Sequence, residues 1–104
     1  MISLIRVQGN RLVAAGDLGY DAAKRFAEAV RRYLAGAGQR GGTIDLGGVE
    51  NLASVSLAAI YDGVRVCRPT SLTIIVPERL HILFAPGELE ELFTVESAPV
   101  GKLS

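Results

Sequence analysis

What is scarce in this sequence limits its chemistry. It has 1 cysteine and 1 histidine in 104 residues, so no intrachain disulfide can form and no metal centre can draw on several such ligands. No cofactor site is expected either. The first apolar stretch is interrupted by Gln8, Gly9, Asn10 and Arg11, unlike a secretory leader. With the lone cysteine, this leads us to expect a cytoplasmic protein. No run approaches the ~20 apolar residues that cross a bilayer. Tryptophan is absent and aromatics make up 6% of the chain against 49% hydrophobic residues, so a core must be built from aliphatic side chains and alanine. Excess charge is missing as well. The 11 basic and 11 acidic residues cancel, which leaves no electrostatic drive toward nucleic acid or an anionic membrane.

What is present reads as one α/β domain over 1–104, with a core at 2–96 and a tail at 97–104. Residues 2–7 and 12–15 form strands around the turn Gln8-Gly9-Asn10-Arg11, and Gly16-Asp17-Leu18-Gly19 is expected to break the second. Asp21 is placed to cap a helix over 22–35, whose stripe is Ala23, Phe26, Ala27, Val30 and Leu34. Gly36 and Gly38 end it. A short strand at 43–46 leads through a loop at Gly47-Gly48 to a helix beginning near Ser54, with Leu57, Ile60, Tyr61, Val64 and Ala58 inward. Arg68-Pro69-Thr70 stops that helix. The β-branched run 71–76 reads as a strand buried on both faces. Pro77 and Glu78 then open a short helix with Leu80, Leu83 and Phe84 inward. Residues 88–93 suggest another helical turn and 94–96 an edge strand. The order β-β-α-β-α-β-α-β predicts a mixed sheet of four to five strands, largely parallel, with helices mainly on one face.

Little in this pattern supports catalysis. The loop 36–41 fits G-x-G-x-x-G, but it follows a helix and precedes a strand, the reverse of a dinucleotide site. Gly47-Gly48 lacks the Gly-Lys-Ser/Thr of a phosphate loop. His81 reads as a partly exposed helical residue and Cys67 as a packed helix end without an activating neighbour. Glu88, Glu90 and Glu91 read as a solvated acidic run. The expectation is a protein that is not an enzyme.

From Leu12 to Val95 the residues resemble a STAS domain, the fold of bacterial anti-sigma factor antagonists. The resemblance is carried by Gly16-Asp17-Leu18 before the first helix, then Thr43-Ile44-Asp45-Leu46-Gly47-Gly48-Val49, then Ser54 opening a helix. A β-branched strand, a turn of helix from Pro77 and Leu89-Glu90-Glu91-Leu92-Phe93-Thr94-Val95 follow in the family's order. In phosphorylated members a D-S-[ST]-G-[LV] motif opens the helix, and its first serine is modified by a partner anti-sigma kinase. The matching stretch is Ala53-Ser54-Val55-Ser56-Leu57. Ser54 falls on the acceptor and Leu57 on the apolar position. Ala53, Val55 and Ser56 depart from the motif.

The resemblance implies a regulatory protein-binding domain. Its partner surface would be Asn51, Leu52, Ala53, Ser54, Val55, Ser56 and Leu57, supported by a loop of Asp45, Gly47 and Gly48. The implied partner is an anti-sigma factor of the serine-kinase type. The alternative is a scaffold subunit of a signalling complex or a membrane lipid transporter, without phosphorylation. A third reading places a small ligand beside Gly47-Gly48. Serine is also a common helix N-cap, which accounts for Ser54 without any phosphate. Asp45 is expected to satisfy loop amides, and Asp17 and Asp21 to flank the rim. An exposed edge strand at 2–7 or 94–96 offers a route to a homodimer.

Overall fold

The computed structural model describes residues 3–84 and 93–98. Five strands form one sheet in sequence order: β1 (Ser3–Gln8), β2 (Arg11–Leu18), β3 (Gly42–Leu52), β4 (Leu72–Val76) and β5 (Thr94–Ser97). β1 and β2 are antiparallel, and the remaining pairs are parallel. Helix α1 (Tyr20–Ala35) crosses from β2 to β3, and α2 (Ser54–Cys67) from β3 to β4. A 3-10 segment, Glu78–Phe84, follows β4 where the third helix was expected. This is the mixed α/β architecture anticipated above. The 88–93 turn lies outside the described residues, apart from Phe93, which is buried.

The hairpin closes tightly because Gln8 pairs with Arg11 and leaves a two-residue loop. Gly9 takes φ +64 at its first position, a conformation glycine adopts without a Cβ clash. Period-two alternation then sorts the sheet into two faces. Leu12 pairs with Ile44 and Ile44 with Ile74, and all three are fully buried. The residues between them, Val13, Thr43, Asp45, Thr73 and Ile75, are half-exposed. β4 is therefore buried on one face rather than two, because both helices pack on the side of Ile74. α1 contributes Ala22, Phe26, Val30, Tyr33 and Leu34 to this core, and α2 contributes Ser56, Ile60, Gly63 and Val64. The helices approach closely at Gly63, where a Cβ would come within 2.9 Å of Val30 Cγ1.

Several boundaries differ from expectation. β2 does not break at Gly16: it continues to Leu18 with Gly16 at φ +85, held by its parallel pairing to β3. β3 runs through Gly47-Gly48 instead of looping there. Between the Val13–Asp45 and Ala15–Gly48 pairs, β3 advances by one residue more than β2, a bulge that bends the strand without ending it. Gly48 suits this approach, since a Cβ on it would lie 3.0 Å from Ala15 Cβ. β4 pairs with β3 only as far as Asp45, and beyond it Arg79 Nη2 donates to the Val49 carbonyl at 2.9 Å. Leu83 is 40% exposed and Ala58 is exposed, so neither faces inward as expected. Leu80 and Phe84 do pack on the core.

Candidate functional site

The strand ends of β2 and β3 and the starts of α1 and α2 meet at one corner. Hydrogen bonds between distant segments fix it. Asp17 Oδ1 accepts from the Gly19 amide and from Asn51 Nδ2, each at 3.0 Å, joining the β2–α1 turn to the end of β3. The Leu18 carbonyl accepts twice, from the Ala53 amide and from Ser56 Oγ, both at 3.0 Å. The start of α2 is thus anchored to the end of β2 by one main-chain and one side-chain donor.

This anchoring changes the roles expected of the serines. Ser54 does not cap α2. The cap position is Ala53, with extended dihedrals and no side-chain cap bond, and Ser54 is the first helical residue, exposed. The first-turn amides of α2 therefore lack the oxygen that a capping side chain would supply. Ser56 is fully buried and its hydroxyl is committed to Leu18, so it is no part of a contact surface. Leu52, 8% exposed, belongs to the core rather than to the rim. Of the expected partner surface, Asn51, Ser54 and Val55 are exposed, while Ala53 and Leu57 are half-buried. Asp21 does not cap α1 either, because that helix begins earlier, at Tyr20, behind Gly19; Asp21 lies in its first turn.

The supporting loop is a bulged strand. Asp45 sits within β3, where its Oδ1 accepts from the Gly47 amide at 2.9 Å and its Oδ2 meets Arg11 Nη1 at 3.1 Å. Gly47 and Gly48, beside which a small ligand was expected, lie within β3, and Gly48 pairs with Ala15.

At the corner the chain forms an open polar cleft of about 840 Å³. Asp17, Asn51, Ala53 and Ser54 line one part of it, and Tyr20, Asp21 and Arg25 of α1 another. Ser3 of β1 closes the end, where it accepts a hydrogen bond from Arg25 Nη2. Tyr20, 74% exposed, stands beside this cleft, and Val55, 43% exposed, follows Ser54 on α2. Sequence reasoning did not single out Tyr20, Arg25 or Ser3. The available signal was an aromatic at a helix start with no place in the apolar stripe of α1.

The cleft contains hydroxyls, carboxylates and a guanidinium but no cluster of three or more His, Cys, Asp or Glu able to hold a metal is found among the described residues. Burial raises the pKa of the Tyr61 phenol above the ordinary tyrosine value. That residue lies two turns along α2 from Ser54 and packs on Phe84 and Phe93, with ring centroids 6.2 and 5.8 Å away. Among the described residues no helix is long and apolar enough to cross a membrane.

No family model and no curated protein matches this chain. Among solved structures it is similar to an uncharacterized protein of the DUF3478 family, with a SpoIIAA-like fold, from Shewanella loihica PV-4. The two share 16% identity over 90% of this chain and 83% of that one, with a TM-score of 0.45.

Proposed function

We propose that this chain is a STAS-like regulatory domain that binds a protein partner through the rim around Ser54 and performs no reaction of its own. The observation that carries this reading is the exposure of Ser54 as the first residue of α2, on a cleft it shares with exposed Tyr20 and next in sequence to exposed Val55. An aromatic and an aliphatic residue around a hydroxyl supply the apolar anchor that protein interfaces use, with polar groups at the margin. The partner is an anti-sigma factor of the ATP-dependent serine-kinase type, and Ser54 is the residue it modifies.

The switch follows from charge. A phosphate adds about −1.5 to −2 charges at neutral pH. At the first position of α2 it meets amides without a capping side chain, where negative charge is favourable. Buried against a partner, the same charge is costly unless paired. The domain stays folded while the complex separates.

A specific observation favours a second reading, a scaffold that uses the same rim without phosphorylation. Ala53 supplies no carboxylate beside the acceptor, and Ser56 adds a buried tether where the motif has glycine. Incubation with an anti-sigma serine kinase and ATP, followed by phosphopeptide mapping, separates the two. Phosphate on Ser54 that disappears in Ser54→Ala supports the switch. Binding without phosphate supports the scaffold. Absence of both overturns the anti-sigma reading.

A further inference from the structure

At the opposite side of α1 from α2, the sheet ends among the described residues in an unpaired edge. β1 is the first strand of the sheet, and among the described residues nothing pairs with its outer edge. Its main chain therefore offers donors and acceptors to an added strand. Beside it lies a groove of about 310 Å³ between β1 and α1. Ile5, Val7, Leu12, Ala29 and Tyr33 make its walls, and Val7 is 55% exposed.

The margin of this groove is cationic. Arg6 of β1 and Arg32 of α1 line it, and no acidic side chain does among the described residues. Arg25, two turns before Arg32 on α1, reaches the Ser3 end of the same strand through its hydrogen bond to Ser3 Oγ. Among the described residues none of these three arginines forms an ion pair. Asp21, one turn before Arg25, faces the neighbouring cleft.

We propose that the β1 edge and its groove bind an extended acidic segment of a partner protein by strand addition. Main-chain bonds to residues 3–8 hold the segment; its side chains on the α1 side put an apolar group in the groove and a carboxylate on Arg32 at the margin, and a carboxylate on the other face meets Arg6. The charge selects this occupant over a second copy of the chain. Antiparallel pairing of two β1 strands would bring both sets of arginines to one seam, a like-charge arrangement that opposes association. Ser3 and Arg25 also line the Ser54 cleft, so the two surfaces adjoin there, while the groove with Arg6 and Arg32 shares no lining residue with it.

The test titrates the whole protein with a short blocked peptide of repeating Val-Val-Glu-Glu, which carries both residue types on each face of the extended chain. Two controls replace glutamate by lysine or methylate alternate backbone nitrogens. Binding is followed by NMR, with amide hydrogen exchange mapping the site. The expected result is binding of the glutamate peptide alone, protection of β1 amides and weakening with added salt. Arg32→Glu, at an exposed position, should reduce affinity at least about tenfold, because it converts an attraction into a repulsion. Arg6→Glu should act likewise, and Ser54→Asp should change nothing. Failure of the glutamate peptide to bind, equal binding of the lysine peptide, or protection centred away from β1 would overturn the proposal. So would concentration-dependent protection of β1 in the peptide-free protein, which identifies a second copy as the occupant.

Discussion

Ser56 stands where the resembled motif has glycine, and its environment explains why a hydroxyl is accommodated there. The side chain is fully buried and donates to the Leu18 carbonyl, which the Ala53 amide also reaches. Removing the hydroxyl leaves that carbonyl with one of its two donors. We therefore expect Ser56→Ala to cost about 1 kcal/mol rather than the full penalty of an orphaned group, as read by urea denaturation. Tyr33 presents the opposite case. Its hydroxyl donates to the Asn10 carbonyl at 2.6 Å and accepts from the Thr43 amide at 2.8 Å, joining the hairpin turn, α1 and β3. Tyr33→Phe removes both bonds at a buried site and should cost about 1–3 kcal/mol in the same measurement. Neither role was legible in the sequence. Periodicity identifies apolar stripes, so it found Phe26, Val30 and Leu34 but passed over the tyrosine and the serine that share their burial.

Elements were legible where the local pattern agreed with the tertiary one. The two helices and the β-branched strand β4 announce themselves by period and residue type. Glycine misled at strand interiors. Gly16 and Gly47-Gly48 read as breaks, yet β2 and β3 run through them because parallel pairing carries the chain past a bulge and past the positive φ of Gly16. Such pairing joins segments about thirty residues apart and leaves no local signature. At the far end of α2 the expected stop occurs at Arg68, which adopts φ +47 while its amide closes on the Val64 carbonyl at 2.9 Å. A left-handed C-terminal residue is ordinarily glycine. Arg68→Gly should relieve that strain and raise the melting temperature, with a gain of up to about 1 kcal/mol. A fall would show that the arginine side chain contributes more than its backbone costs.

At the scale of the whole molecule, the alternation of strands and helices indicated a mixed sheet with its helices on one side. The candidate corner was only partly visible. The sequence pointed to Ser54, but the cleft beside it is assembled from β1, β2, α1, β3 and α2 together. Tyr20, Arg25 and Ser3 enter it through topology, which no linear spacing encodes. Because Asp17, Leu18, Asn51, Ala53 and Ser56 secure the corner from within, a change at exposed Ser54 should leave the fold intact. Ser54→Asp is the most direct probe of the rim. Its carboxylate lies in the first turn of α2, where it should leave the melting temperature unchanged or slightly raised, by at most about 1 kcal/mol in stability. The measurement is the affinity of this variant and of the unaltered protein for the proposed partner, an anti-sigma serine kinase, by isothermal titration, with melting curves run alongside. Docking at the rim predicts a loss of at least about tenfold in affinity with the melting temperature preserved; equal affinities for the two proteins would contradict it.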